Sequence, residues 1–537
     1  MFYGYFLSSS GSATYVRNLT LALNKLGQNV ILFSQEKQPE KFPFIQKSFV
    51  VTGNNLLLNF ERKTPFKGKT IHIKADLDGF LPVYVYNPYK DYKTVKEFKD
   101  MKKADLDFYF DKLKKAIFLA KRKGILKEVK GIISHHIFPL PFLLQEIFPQ
   151  PPHLTVFHGT DLNYAILKNP LWLKYFEEKP KNFLFVTASH HGKTEFLKIA
   201  SKNFVEEKVK IIPPGVDTTL FAPTPNPQKN LLSLKNNLKT LLGKPEVTKI
   251  VSEKTKILRQ ISQEKDIQKM ILLWEKLHQY ESSHLPELNF QDFLERLDLK
   301  KPTLVFCGAL NWAKGGQFLM LAAPFLFEKI SQLQLVFAGS GKLRGFLQSF
   351  ITALSQKKFK DLEKIIEIAE ERETAQKTFP LSLKEVFREN KKALKKLKNL
   401  EKINEVAFAG FLEHENLSLL FSLTDVFVGP SLLPESFGMV AVEAAASGAI
   451  PIIPAVYGFG DINVILKNNL SQLAIIPDLL PDNSFFETLQ EAIIKAFSLK
   501  TKNYALRKNI ANLIDKEFSW QNAASKYLQF FKKDLEK

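Results

Sequence analysis

The sequence predicts an α/β protein built from two doubly wound units, and two matching βαβ openings with a long strand–helix alternation carry that prediction. In the first opening, Phe2 to Leu7 is apolar and aromatic and predicts a strand, and Ser8 to Ser12 is a small-residue loop. Ala13 to Leu26 then has helical spacing, Gly27 stops it, and Val30 to Phe33 predicts a second strand. The second opening repeats this grammar about 300 residues later. Thr303 to Cys307 is its strand, Gly308 to Gly316 its loop, Gln317 to Lys329 its helix and Leu333 to Ala338 the next strand. Alternation continues through Val406 to Ala409, a helix from about Glu415, Val426 to Gly429, a helix from about Gly438 to Ser447, and Ala449 to Ile453. Each opening sets a glycine-bearing loop at the carboxyl end of its first strand, where doubly wound sheets bind ligands.

Length agrees, since 537 residues at ~150 per domain make roughly three domain-sized pieces. The first unit is read as 1–225, a helical insertion at the domain junction as 226–300, and the second unit as 301–518. In the junction insertion Ile257, Ile261, Ile267, Ile271, Trp274 and Leu277 form a helical stripe. A second, lysine-rich insertion runs from about 346 to 404; a solvated helix explains its KEVFRENKKALKKLKNLEK better than a face for anionic lipid, which stays open as a peripheral contact. With 45% hydrophobic residues and 47 Phe, the chain has the apolar surface for more than one core. Cys307 is the single cysteine, which excludes an internal disulfide framework and suits a reducing, cytoplasmic compartment. The amino terminus lacks the basic flank of a signal peptide, and no uninterrupted apolar run reaches the ~20 residues of a membrane span. The formal charge is 76 − 55 = +21, yet only nine of the 76 basic residues are Arg. Lysine enrichment therefore accounts for much of the excess, and no nucleic-acid motif accompanies it.

Several chemistries lack their minimum residues. There is no Walker A sequence, no HExxH, no paired CxxC and no GxSxG, and in Gly339-Ser-Gly341-Lys-Leu-Arg344-Gly345 the third glycine falls one position late for a dinucleotide fingerprint. The informative stretch is PSLLPESFGMVAVEAAASGAIPIIP, Pro430 to Pro454, with Glu435 in a loop and Glu443 eight residues later in a helix that starts near Phe437 or Gly438. Unsatisfied N–H groups at a helix start, among small residues, suit a phosphate or sugar oxygen. A carboxylate one and a half turns in, at Glu443, suits a vicinal diol such as a ribose. Gly11 and Ser12 likewise stand at a helix start, where amides and dipole favour a phosphate. Ser189 is placed to cap a helix from His190, and His135 and His136 in SHHIFPLP read as structural.

At this point the chain resembles the family 4 glycosyltransferases, whose signature is a Glu, seven residues and a second Glu. The agreeing blocks, in order, are SSSGSATYVRNL, TVFHGTDLNYA, VKIIPPGVDTTLFAP, LVFCGALNWAKGG, LVFAGSGKLRGFL, VAFAGFLEHENLSLLFSLTDVFVGPS and FSWQNAASKYLQFF. The resemblance implies a GT-B fold, two Rossmann-like domains facing across a cleft, with a last helix of about 519–537 returning to the first. It implies transfer that retains anomeric configuration, no cofactor and no metal on an Asp-x-Asp motif. The implied partners are a UDP-, GDP- or ADP-sugar donor and a carbohydrate or lipid-linked acceptor. Lys314 matches a lysine that meets the diphosphate, and the Gly438 and Met439 amides, with Phe437 beside them, match groups on sugar or phosphate oxygens. Glu443 would hold the ribose and Glu435 the transferred sugar. His158 matches a histidine near the reacting sugar, while Asp161 and Ser189 fall on the acceptor side. Where the family has an Arg or Lys after the first strand of the second domain, this chain has Ala309, and Arg344 in the next loop is expected to replace that cation. A starch or glycogen synthase-like enzyme is an alternative, disfavoured because no Lys-x-Gly-Gly occurs near Ser8 to Ala13. A nucleotide-sugar-binding scaffold with decayed catalysis is another, because of Ala309.

Overall fold

The computed structural model describes residues 1–7, 11–86, 89–179, 181–199, 206–375, 377–499 and 501–535. The loop residues Ser8, Ser9 and Ser10 and the last two residues of the 519–537 helix lie outside that set. The chain forms two compact units, Met1–Gly215 with Phe518–Lys537, and Val216–Glu517.

In the first unit the elements run α1 (Gly11–Lys25), β1 (Val30–Phe33), β2 (Ile45–Thr52), β3 (Asn55–Glu61), β4 (Thr70–Lys74), β5 (Phe80–Val83), β6 (Thr94–Glu97) and α2 (Lys103–Arg122). They continue with β7 (Ile132–His135), α3 (Leu140–Ile147), β8 (His153–Val156), α4 (Thr160–Tyr164), α5 (Pro170–Glu178), β9 (Leu184–Thr187), α6 (His190–Ile199) and β10 (Val209–Ile211). Two four-stranded sheets result, ordered β1-β4-β2-β3 and β10-β9-β8-β7. Phe2 joins them, bridging Phe33 on one side and Ser134 on the other. The strand expected over Phe2 to Leu7 is thus corrected to a single bridging residue. Its N–H reaches Ile133 O at 2.8 Å and the next one reaches Phe33 O at 2.9 Å, but the backbone then bends at Gly4 and Tyr5 and the ladder ends.

Aromatic burial accounts for much of this core. Phe142 meets Phe176 and Phe183 edge to face, Phe185 lies against Phe196, and the buried Trp172 gives its indole N–H to Phe98 O at 2.6 Å. Such pairs contribute about 0.5–1.5 kcal/mol each beyond area burial.

The second unit begins with α7 (Pro227–Leu242), α8 (Pro245–Gln263), α9 (Ile267–Glu281) and α10 (Asn289–Arg296), the helical insertion. Then come β11 (Thr303–Cys307), α11 (Gly316–Lys329), β12 (Gln334–Ala338), α12 (Leu343–Ser355), α13 (Phe359–Thr374), α14 (Leu383–Leu394) and β13 (Ala407–Gly410). The rest is α15 (His414–Leu423), β14 (Val426–Val428), α16 (Met439–Ala446), β15 (Ile450–Ile452), α17 (Tyr457–Asn469), α18 (Phe485–Ser498) and α19 (Tyr504–Phe518). The five strands form one wholly parallel sheet, β13-β12-β11-β14-β15, whose order reverses about β11. In a doubly wound sheet that reversal opens a crevice at the carboxyl ends.

The stripe read from Ile257 to Leu277 buries Ile257, Ile261, Ile271, Trp274 and Leu277, and the Trp274 indole N–H meets Ser349 Oγ at 2.9 Å. The lysine-rich helix α14 turns its basic side to α13. Lys384 pairs with Glu367, while Arg388 and Lys391 pair with Glu363 at 2.7 and 2.5 Å. The last helix, α20 (Trp520–Leu535), packs on α1, where Tyr15 Oη lies 3.0 Å from Tyr527 Oη. Gly215 admits it closely, because a Cβ there would sit 2.3 Å from Trp520 N. Among the described residues, no helix is long and apolar enough to cross a membrane.

Candidate active site

In the second unit a glycine contact assembles the site. Gly315 has φ +72°, and a Cβ on it would lie 1.9 Å from Pro430 O, so only glycine lets the loop after β11 touch the loop after β14. Leu432 N–H to Ala313 O at 2.8 Å ties the same two loops. The result places Lys314 beside Glu435: its ammonium pairs with Glu435 Oε1, which also accepts from Ser431 Oγ at 2.8 Å. Both side chains keep partial solvent exposure, 34% and 21%, so the pair is accessible to an incoming ligand.

The next four residues turn into α16. Gly438 precedes the helix at φ +95°, and a Cβ there would fall 2.0 Å from Phe459 Cε1. Gly458 closes the contact from the other side, with its N–H on Glu435 O at 2.8 Å. Backbone from α17 is therefore locked against the turn that carries Phe437, Gly438 and Met439, and the helix's own bonding starts only with Ala441 N–H to Gly438 O at 3.0 Å, so the Gly438 and Met439 amides precede any carbonyl of their own helix. Arg507 braces the far end of α16, donating to Ser447 O at 3.0 Å and to Thr424 and Ser422 O at 2.6 and 2.7 Å.

Glu443 lies in the second turn of α16 and is buried, with His414 Nε2 3.4 Å from its Oε1. A buried carboxylate is costly without donors, and ligand hydroxyls are suitable ones. Cys307 ends β11 nearby: burial, then the charge on Glu443, push its thiol well above the ordinary value, with Lys314 opposing.

Arg344, read as a loop residue, instead sits in the first turn of α12 and is buried. Its Nε and Nη2 hold Glu287 at 2.7 and 3.0 Å, Nη1 holds Gln348 at 3.1 Å, and its guanidinium lies 3.7 Å over the Phe408 ring. Arg344 is thereby engaged on all three nitrogen-bearing arms, two by Glu287 of the insertion and one by Gln348 of its own helix, and with Glu287, Gln348 and Phe408 it borders a cavity of about 440 Å³ whose lining does not include the Glu435–Glu443 segment.

In the first unit, His158 follows β8 and joins a histidine cluster. His135 Nδ1 is 3.1 Å from His158 Nε2, and the His136 ring stands 4.8 Å from that of His158. Burial lowers the His158 pKa to about 4, and burial followed by the His158 charge lowers those of His135 and His136 further. All three are neutral imidazoles near pH 7. His135 Nε2, both ring nitrogens of His136 and Tyr5 Oη are buried with no hydrogen-bond partner, so the pair read from sequence as structural belongs to the same cluster as His158.

Asp161, in the first turn of α4, is fully buried; its carboxylate accepts from the N–H of Ile137 and, at 3.2 Å, from that of Leu162. Burial raises its pKa to about 7 against those bonds. Ser189 caps α6 through Gly192 N–H at 3.1 Å and is itself fully buried, so its hydroxyl serves the helix start. Gly11 opens α1 with nothing within 4 Å of a Cβ placed on it, and Ser12 Oγ lies 2.9 Å from Tyr3 Oη. The residues that sequence reasoning missed are His414, which no spacing ties to Glu443, and the insertion residues Glu281, His284 and Glu287, described below.

Two doubly wound units with parallel sheets make up the fold of the GT-B glycosyltransferases. Residues 387–512 match the family described as Glycosyl transferases group 1. That match lies within the second unit, and the chain is an enzyme of the glycosyl-transferring class. Its fold is similar to that of a glycosyltransferase from Rickettsia africae ESF-5, at 16% identity over 99% of this chain and 98% of that one, with a TM-score of 0.51. Other similar structures are sucrose-phosphate synthase from Thermosynechococcus elongatus (18% identity, 99% and 94% covered, TM-score 0.49) and HepE from Anabaena in complex with UDP-glucose (12%, 99% and 100%, TM-score 0.45). No curated protein matches the chain.

Proposed function

We propose that the chain transfers a sugar from a nucleotide-sugar to a carbohydrate or lipid-linked acceptor in the cytoplasm, retaining the anomeric configuration and using no metal. The observation that supports this reading best is the juxtaposition of the Lys314–Glu435 ion pair with the α16 start and the buried Glu443. As the bond from sugar to diphosphate breaks, negative charge grows on the leaving phosphate. Lys314 and the amides of Gly438 and Met439 meet that charge, and preorganised donors of this kind contribute about 3–4 kcal/mol each to the barrier reduction. Donor binding divides the ion pair: Lys314 turns to phosphate and Glu435 to the hydroxyls of the sugar. Glu443 grips the ribose diol. In the first unit a neutral His158, with His135 on its Nε2, presents a hydrogen-bonding imidazole rather than a cation.

The test is release of nucleoside diphosphate from a panel of UDP-, GDP- and ADP-sugars in the presence of acceptor extracts, with Glu435→Ala and Lys314→Ala run alongside. The reading expects one donor to be turned over by the wild type and at least ~10²-fold less by either variant. Equal background rates in all three proteins contradict it.

A further inference from the structure

The helical insertion, which none of the family blocks includes, is tied to the edge strand β13 at its carboxyl end. Pro286 bridges Gly410 antiparallel, Phe411 N–H donates to Leu285 O at 3.1 Å and Glu287 N–H donates to Ala409 O at 3.0 Å. Gly410 permits this approach, at φ +68° and with a Cβ there only 2.7 Å from both Glu287 N and Leu285 O. In the same region His284 stacks on Phe411 with ring centroids 4.8 Å apart, and Glu281 Oε2 accepts the Gly341 N–H at 3.0 Å. Toward the start of the strand, beside Asn404, Val406, Ala407 and Phe408, the insertion stands off and leaves the cavity of about 440 Å³ that Arg344 borders.

Helical spacing builds its walls. Asn289, Asp292, Phe293 and Arg296 of α10 fall at i, i+3, i+4 and i+7, and Arg344, Gln348 and Ile351 of α12 at i, i+4 and i+7, so each helix gives the cavity one face. Phe293, Ile351, Val406 and Phe408 make the apolar side, all of them buried. The floor is polar and has donors to spare. A guanidinium carries five N–H groups; Glu287 takes two of those on Arg344 and Gln348 one, which leaves 5 − 3 = 2 on a side chain only 3% exposed. Gln348 is itself fixed by Ser262 Oγ at 2.9 Å. At the rim Asn289, Asp292, Arg296 and Asn404 are exposed, and among the described residues their side chains have no hydrogen bond or ion pair.

Charge narrows the ligand. Glu287 and Asp292 balance Arg296 and Arg344, 2 − 2 = 0, so the lining gives no net attraction to a phosphate or a nucleotide, whose sites gather unopposed cations. It offers instead planar donors and acceptors on one side and carbon surface on the other. A pyranose presents the same two surfaces, a hydroxyl edge and C–H faces. The volume lies within the ~300–1,000 Å³ of small-molecule sites. We propose that this cavity is a second saccharide site, taking a neutral mono- or disaccharide unit of a glycan apart from the Lys314, Glu435 and Glu443 cluster. Arg344 donates to hydroxyls at the floor, while Asp292, Asn289 and Asn404 close on those nearer the rim. Binding is read here without turnover, so the inference stands or falls separately from the proposed function.

The experiment is saturation-transfer NMR on the full chain with glucose, galactose, mannose, N-acetylglucosamine, maltose and sucrose, and with glucose 6-phosphate as the charged probe. The wild type is compared with the double variant Asp292→Ala with Asn404→Ala, whose two side chains have no partner to lose on folding, and with Glu435→Ala. At least one neutral saccharide is expected to bind the wild type, and to bind the double variant ~10-fold or more weakly, as loss of hydrogen bonds that include one to a charged group does. Glu435→Ala and saturating UDP are expected to leave that affinity unchanged, and the saccharide to slow hydrogen exchange in α10 and residues 400–405. No neutral saccharide bound, equal affinity in the double variant, displacement by UDP, tighter binding of glucose 6-phosphate, or slowed exchange at α16 instead of α10 each overturns the proposal.

Discussion

Replacing Arg344 with Met tests how the insertion is bound to the sheet. Lys254 and Arg344 face Glu281 and Glu287, all four buried, with Lys254 Nζ 2.7 Å from Glu281 and 3.6 Å from Glu287. The charges sum to 2 − 2 = 0, and Arg344→Met leaves −1 among buried side chains. Burial pushes the Glu287 carboxyl up, but Arg344 and Lys254 together outweigh it and hold its pKa below the ordinary value. Breaking a buried pair from one side costs about 3–5 kcal/mol, and the face of Phe408 loses a cation worth about 0.5–2 kcal/mol. The deficit depends on pH with a definite sign. In the wild type the depressed Glu287 contributes stability that is present above its unfolded pKa and lost as pH falls through the folded one. In Arg344→Met desolvation dominates, Glu287 protonates more readily, and the deficit is largest near pH 7 and narrows toward pH 4. Hydrogen exchange suits a two-unit chain better than a single unfolding curve: amides of α10, α12 and β13 should lose protection, while those of β7 to β9 serve as reference. The double variant Arg344→Met with Glu287→Leu should recover most of the loss, since an apolar pair can replace a buried ionic one. Protection unchanged in the single variant, or no recovery in the double, refutes the reasoning.

Gly410→Ala places a methyl group into the backbone of residues 285–287 and holds alanine at φ +68°, a cost of about 1–2 kcal/mol from the backbone alone; limited proteolysis should cut residues 282–289 faster than in the wild type, and equal rates contradict the contact. The first unit should lose stability on acidification. His72, His153 and His158 have pKa values lowered by burial to about 4, 3 and 4, and His135 and His136 are lowered too. Each therefore withdraws about 1.4 kcal/mol per pH unit as pH falls from ~6.5 toward its folded value. Asp161, raised to about 7, works in the opposite sense and offsets about one of the five, so a melting temperature that rises or stays level from pH 7 to 5 contradicts the histidine burial. Lys314→Met should lower kcat ~10²-fold while nucleotide affinity falls much less, because the ammonium acts mainly on charge that develops in the transition state; a change confined to KM contradicts that role.

Strand–helix alternation was legible because a parallel sheet buried on both faces writes continuous apolar runs such as Thr303 to Cys307, and glycines mark their ends. The Glu435–Glu443 segment was legible because a helix of small residues with one carboxylate is hard to explain otherwise. Three things were not. Phe2 to Leu7 has strand composition, yet Gly4 and Tyr5 bend out of the ladder after one bridge. Arg344 looked available because its partner Glu287 is 57 residues away in an insertion. The insertion's hold on β13 rests on main-chain bonds at 285–287, which side-chain identity does not record, and Gly410 was its one trace in the sequence.

The central claim is that the second unit grips a nucleotide through Glu443. The most direct measurement is the dissociation constant of UDP, GDP and ADP for the wild type and for Glu443→Gln, each repeated with the matching 2′-deoxynucleotide. The account predicts that one nucleotide binds, that Glu443→Gln weakens it about 10- to 100-fold, as loss of a hydrogen bond to a charged group does, and that removing the 2′-hydroxyl weakens the wild type but hardly alters the variant. Equal affinity of the two proteins for every nucleotide, or equal sensitivity to the missing hydroxyl, would contradict it.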